Sequence, residues 1–418
     1  MVFMDSNRIN VSVNSEIGKL QHVLVHTPSR ELENMTPEDA PAYLFSDILN
    51  LQVAQKEYGY FKRLLQKVAH VHEISTLLED VLQNESIKYA LVDRICKAEK
   101  KVFVSTYLKS LDAKELSRQL IEGVRLDDIS FINNEKYALA PLPNLFFMRD
   151  ASFTMQDNIM ISSMASPVRM RECMILEAIY NFHPMFDTKV INPVMKYDIH
   201  GIGVVEGGDV QIIRDDVILC GVGARTNMHG VEALVEHLKT RPGVKHLIFQ
   251  ELPLKPESFI HLDMVFTMLD VDKCMAYEPV IMNHSFKTFH ITIDGQKAVG
   301  KEVPNLIEGL SETGIEVEPV FCGGGDENFG AREQWHSGCN FFCLEPGKIV
   351  GYGRNQHTLQ ALNSAGFNVV TASDVVNNKI NLDNFKRCII AFEGNELARG
   401  GGGARCMTMP VQRLAVEW

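Results

Sequence analysis

The spacing of apolar residues changes character along the chain. From Leu44 to Val68, "LFSDILNLQVAQKEYGYFKRLLQKV" carries apolar residues at helical spacing and predicts one helix. Between about Glu73 and Leu126 come "STLLEDVLQ", "SIKYALVDRICKA" and "DAKELSRQLIEGV". Each opens near a Ser or Asp able to cap and keeps i, i+3/i+4 apolar positions, which predicts an all-helical module. From about Leu142 the pattern becomes short apolar runs broken by turn residues. "NLFFMRDASFTMQDNIMISSM" reads as strand, turn, strand, and helical "RMRECMILEAIYNF" follows it. "GGDVQIIRDDVILCGVG" repeats the order, followed by helical "GVEALVEHLK" and the strand "KHLIFQEL". "HLDMVFTMLDVDKCMAYEPV" is a further hairpin. "CNFFCLEPGKIVGYGRN" is another, followed by helical "TLQALNSAG" and the strand "NVVTA". "GKLQHVLVHTP" begins one more copy, and "RCIIAFEG" and "ARCMTMP" read as strands that close the set. The expectation is an α/β chain of about five degenerate hairpin–helix–strand units, disposed around an axis or along a line. The helical module, residues 73–126, is then an insertion inside the first unit, and residues 1–72 and 127–418 form one α/β domain.

Composition narrows the function classes. Of 418 residues, 45% are hydrophobic and 22% charged, the balance of a soluble protein with a sizeable core. A formal net charge of -12 argues against nucleic-acid partners and leaves room for a cationic substrate. The N-terminus has no basic stretch followed by an apolar one, and no apolar run reaches the ~18–20 residues of a membrane span. Nine scattered cysteines, an odd number without a framework, read as reduced thiols in a cytoplasmic compartment.

The polar residues that open the units carry the chemistry. "FMRD" gives Asp150, "VEGGD" gives Glu206 and Asp209, "IHLD" gives His261 and Asp263, and the last strand delivers Cys406 after four glycines. If "HLD" lies on a strand, His261 and Asp263 face one side while Leu262 and Met264 face the core. A cysteine thiolate is a nucleophile, and a histidine can carry its proton and later activate water. Acyl transfer calls for oxyanion donors. This set offers acceptors instead, which suit a planar cation rich in N–H donors, and guanidinium matches carboxylates in bidentate fashion. Taken singly, a buried cysteine, an H-x-D pair and a glycine-rich turn are more often structural. Their coincidence at the starts of units points to displacement at a guanidinium carbon.

These residues sit in motifs that together resemble the arginine deiminase family of the guanidine-modifying, or pentein, superfamily. The motifs are "NLFFMRD" (144–150), "VEGGD" (205–209), "GARTN" (223–227), "HLDMVFT" (261–267), "REQW" (332–335), "YGRN" (352–355) and "GGGGARCMTMP" (400–410). The resemblance spans nearly the whole chain, in order. It implies a five-unit pseudo-symmetric α/β propeller with an inserted helical bundle, acting on L-arginine without metal or cofactor, and forming a homo-oligomer. It further implies that Cys406 attacks the guanidinium carbon, that His261 handles protons, that Asp150 and Asp263 hold guanidinium nitrogens, and that Glu206 orients His261. Arg169 and Arg225 match positions for the substrate α-carboxylate, and Asn144 and Phe147 line the pocket. The glycine run departs from relatives that carry a substrate-contacting arginine there, which leaves Arg399 and Arg405, on either side of it, as candidates.

Five other readings compete, one of them a catalytically dead arginine-binding protein, which the complete set of Cys406, His261 and carboxylates disfavours. Agmatine deiminase is disfavoured by Arg169 and Arg225, and the smaller dimethylarginine hydrolases by the helical module; amidinotransferases share the site chemistry. A zinc site at Cys322, His336, Cys339 and Cys343 is disfavoured because i and i+4 on a strand lie ~13 Å apart, too far for one tetrahedral ion.

Overall fold

The structure is a computed structural model that describes residues 8–126 and 136–418. The reading of residues 1–7, and residues 127–135 that open the second part of the expected α/β domain, lie outside the described residues. One strand set recurs five times: an antiparallel pair, a hairpin in four of the five sets, with a third strand parallel to one strand of the pair. In the first set Leu20–Val25 pairs antiparallel with Met409–Arg413 and parallel with His70–Glu73, so strands from the two halves of the chain share one sheet. The second set is Ser152–Met155, Asn158–Ile161 and Lys189–Ile191. The third is Val210–Arg214, Val217–Val222 and Lys245–Glu251. Phe266–Asp270, Lys273–Ala276 and Glu318–Phe321 make the fourth. The fifth is Phe342–Glu345, Lys348–Tyr352 and Cys388–Phe392.

A parallel pair needs a crossover, and helices supply it. They are Leu51–Val68, Met170–Phe182, Met228–Lys239, Leu306–Ser311 and Gln356–Ser364, one per set. The middle strands, such as "VILCGV" at 217–222, are almost wholly buried, as expected for strands covered on both faces. Asn368–Thr371 joins the fifth sheet as a fourth strand. The hairpin Thr288–Asp294/Lys297–Val303 extends the third sheet to five strands. No alternation announced it, because its outer strand "KAVGKEV" is exposed on both faces until Val303.

Two expectations need correction here. The first crossover helix begins at Leu51 rather than Leu44. Leu44 has φ of 68°, outside the helical region, and the Asn50 side chain accepts from the Val53 amide at 3.1 Å as the N-cap. The helices Ile74–Leu82, Glu85–Ala98, Ser105–Ser110 and Ala113–Glu122 start only after the third strand of the first set, between the first and second sets rather than inside the first. They do not build a core of their own. Leu78, Val92, Leu108, Leu116 and Leu120 share one apolar cluster with Ile175, Leu176 and Ile179 of the second set's helix. Buried Arg171 of that helix reaches Glu99 at 2.6 Å and the Leu120 carbonyl at 2.9 Å, which locks the helical segment to its neighbour.

Candidate active site

The glycine run is held from three directions. Upstream, buried Glu57 of the first crossover helix accepts the backbone amides of Asn395, Glu396 and Leu397 at 3.0 Å. Downstream the chain enters the strand Met409–Arg413, and at the side the Tyr352 hydroxyl donates to the Gly402 carbonyl at 2.9 Å. The glycines themselves are dictated by space. Gly401 has φ of 85°, a left-handed conformation that favours glycine. A Cβ on Gly402 would meet Phe147 at 2.4 Å, and one on Gly403 would meet Asn340 at 2.7 Å. The run ends in a turn that presents Cys406 three residues before the strand, not on it.

Cys406 is buried, with its sulfur 3.7 and 3.8 Å from the two carboxylate oxygens of Asp263 and 3.1 Å from Asn340 Nδ2. Asp263 and His261 are not on a strand as expected. His261 is extended and caps a short 3-10 turn, Leu262–Met264, and the strand starts at Phe266. The alternation argument therefore fails as geometry, although Leu262 and Met264 do enter the core. Space for the imidazole comes from "VEGGD", since a Cβ on Gly208 would lie 2.5 Å from His261 Nδ1. The other ring nitrogen, Nε2, is 2.9 Å from Glu206 Oε2. Nδ1 has no hydrogen-bond partner and lies 3.6 Å from Asp150 Oδ1, which has none either.

Electrostatics follow from burial. Desolvation pushes the Cys406 thiol well above the usual thiol range, and Asp263 and Asp150 push it further. Burial would lower His261, but Asp150 and the Glu206 hydrogen bond bring it up to about 9. Burial would raise Glu206, yet the His261 hydrogen bond and the charges of His261, Arg225 and Arg169 hold it down at about 2. Asp209 sits deeper, accepts the Leu262 amide at 2.9 Å, and is raised by burial to about 7.

The arginines divide clearly. Arg405 is fully buried and donates to Asp263 Oδ2 at 2.8 Å and to Glu16 at 3.0 Å, so it fixes a carboxylate at the sulfur. Arg169 donates to Asp150 at 2.5 Å and to both oxygens of Glu172. Arg225 lies 3.4 Å from Glu206. Arg399 is on the surface, paired with Asp47 and Glu396, away from the cluster. Asn144 donates to the Tyr43 carbonyl at 2.6 Å, and Phe147 packs on Phe146 and over Gly402.

This constellation of thiol, imidazole and carboxylates matches a known pattern. The family model for arginine deiminase matches residues 42–413. The chain belongs to the arginine deiminase family. An arginine deiminase of Listeria monocytogenes serotype 4b is 34% identical over 430 residues, covering 96% of this chain and 98% of that protein. One from Bacillus cytotoxicus is 33% identical over 427 residues, with the same coverages. Among solved structures, a mutant DDAH from Pseudomonas aeruginosa complexed with citrulline aligns with TM-score 0.51 and 14% identity over 94% of this chain and 99% of that one. The amidinotransferase SxtG from Microseira wollei aligns with TM-score 0.53 and 15% identity over 98% of each chain. These likenesses place the chain in the mixed α/β pentein fold.

Sequence reasoning missed three residues of this family member's site. Glu16 and Glu57 gave no signal, being single glutamates, one ahead of the first strand and one on the first crossover helix. Asn340 could have been found. Asp150, Glu206, Asp263 and Cys406 each stand a few residues before a strand of a different set, and the counterpart in the fifth set, in "GCNFFC", is Asn340. Cys339 and Cys343 do not share a strand, contrary to the expectation set against zinc. Cys339 precedes the strand Phe342–Glu345, so a strand spacing to Cys343 does not apply. Among the described residues, no group of three or more His, Cys, Asp or Glu is placed to hold a metal.

Proposed function

We propose that this chain hydrolyses L-arginine to L-citrulline and ammonia through a covalent intermediate on Cys406. The observation that carries the reading is the convergence on one sulfur of Asp263 and, around it, Asp150, His261 and Glu206. A guanidinium between Asp150 and Asp263 has carboxylate acceptors for its N–H groups. Its positive charge also favours the Cys406 thiolate, whose proton is otherwise held by burial and by the two aspartates. The thiol proton leaves to solvent as the cation binds, and the sulfur pair forms a C–S bond with the guanidinium carbon while the C=N π pair moves onto nitrogen. His261, raised to about 9 and so protonated at neutral pH, hands a proton from its unpartnered Nδ1 to the departing amine as the C–N bond breaks. The neutral imidazole then takes a proton from water, which attacks the thiouronium carbon. The C–S bond breaks, the pair returns to sulfur, and the proton left on the oxygen passes to solvent, where it balances the ammonium formed. Glu206, bonded to Nε2, holds the ring in the orientation both steps need.

Arg225, half-buried beside Glu206, and Arg169 are assigned to the α-carboxylate, with Asn144 and Phe147 lining the pocket. Arg169 already spends its donors on Asp150 and Glu172, which makes Arg225 the freer of the two. Arg405 serves by positioning Asp263. We further read the five sets as blades around one axis, with the site where their leading ends meet, residues 73–126 as a helical insertion between the first and second blades, and the chain as a cytoplasmic homo-oligomer. Nine buried free thiols suit a reducing compartment, and among the described residues no helix is long and apolar enough to cross a membrane. Assaying citrulline release from arginine, agmatine and methylated arginine side by side tests the substrate. Turnover of agmatine but not arginine overturns the assignment.

A further inference from the structure

Asn340 stands at the leading end of the fifth strand set, and the proposed reaction gives it no role. Its side chain is buried and makes five contacts, one of them from Nδ2 to the Met264 sulfur at 3.7 Å. Oδ1 accepts the backbone amides of Arg405 at 2.8 Å and Cys406 at 3.2 Å. Only an oxygen can accept from two N–H donors, so the other end of the amide must be the NH2 group. That group donates to the Asp263 carbonyl and, at 3.1 Å, to Cys406 Sγ. The carboxyamide thus grips the nucleophile twice, by its backbone and by its sulfur, and Gly403 is glycine because a Cβ there would collide with it.

We infer that Asn340 is a catalytic residue of this site, whose Nδ2–H group stabilises Cys406 Sγ as the attacking and departing thiolate and fixes its direction. The need for a donor is plain from the neighbourhood. Asp263 and Asp150 face the sulfur and oppose a negative charge on it, and Tyr352 lies near. Arg405 and the Gly403 amide work in the other direction, but the Arg405 guanidinium is spent on Asp263 and Glu16. Asn340 therefore supplies a neutral donor that can follow the sulfur from thiol to thiolate without pairing away the carboxylates the substrate needs.

This inference rests on the reading of Cys406 as nucleophile, and the test separates the two. Asn340→Asp keeps an oxygen for the two backbone amides and loses the donor; Asn340→Ser loses the reach to sulfur without adding charge. With L-arginine, both variants are expected to lose roughly 100-fold in kcat, the scale of one removed donor, with KM changed only a few-fold. Alkylation of Cys406 by iodoacetamide, followed against pH in the absence of substrate, should shift to higher pH in both, while thermal unfolding shows the fold retained. If Asn340→Ser keeps kcat within threefold and the wild-type alkylation profile, Asn340 only packs and the inference is overturned. Should wild type not turn over arginine at all, the functional reading fails, yet the alkylation profiles still decide whether Asn340 acts on the sulfur.

Discussion

His261 and His26 are alike by every local measure. Both are buried, both bond a buried glutamate, and in both carboxylates overcome the effect of burial and bring the imidazole up to about 9. Around His26, however, the carboxylates complete the backbone. Glu73 accepts the Thr27 amide at 2.7 Å, the Thr27 hydroxyl and Lys62, and Glu31 accepts the Ser29 amide at 2.7 Å, which fixes the turn after Leu20–Val25. Around His261, glycines clear the space, an aspartate faces the ring without a hydrogen bond, and a thiol stands beside a second aspartate. A perturbed histidine with carboxylates is thus not a reaction centre by itself. The nucleophile and the convergence of separate strand sets make the difference.

The sharpest way to break that comparison is to remove the nucleophile. Cys406→Ala should lower citrulline release by about 10⁴-fold or more with little change in thermal unfolding; residual turnover above that level would point to another nucleophile. Next, the two histidines should part company. His261→Gln should cost ~10²–10⁴-fold in kcat, whereas His26→Gln should leave kcat within twofold. Equal losses in both would erase the distinction drawn above. Arg405→Met strands two buried carboxylates, Glu16 and Asp263, and should destabilise by ~3–5 kcal/mol in denaturant titration.

A smaller effect concerns stability at His26. Its replacement should cost ~1–3 kcal/mol. Because its folded pKa of about 9 lies above the ordinary 6.5, this contribution is complete below pH 6.5 and is lost as pH rises through about 9. The unfolding temperatures of wild type and His26→Gln should therefore converge at high pH; a constant gap would mean the histidine acts by packing. Smallest of all, Arg399→Ala removes an exposed ion pair and should change stability by ~0–1 kcal/mol and KM less than twofold. A large rise in KM would return Arg399 to the substrate.

The sequence made the strand sets legible because each hairpin announces itself twice, by apolar runs and by turn residues such as "QDN" and "EPGK". It also made Asp150, Glu206, His261, Asp263 and Cys406 legible, since polar residues and glycines at strand entrances stand out against apolar surroundings. What the local pattern could not carry was anything fixed by contacts distant in sequence. Glu57 caps a loop more than three hundred residues away, Glu16 holds Arg405, and Met409–Arg413 finds Leu20–Val25. Periodicity gave His261 and Asp263 a strand, whereas tertiary packing put them on a 3-10 turn so that one ring nitrogen could meet Glu206 and the carboxylate could meet Arg405. The same packing separated Arg405 from Arg399, two arginines that flank the glycines in sequence. Burial against Glu16 and Asp263 draws one inward, and solvent with Asp47 and Glu396 keeps the other outside. The chain by itself determined which chemistry is present; only the folded structure decided which oxygen, nitrogen and sulfur atoms stand within reach of one another, because those distances are set between sheets rather than along them.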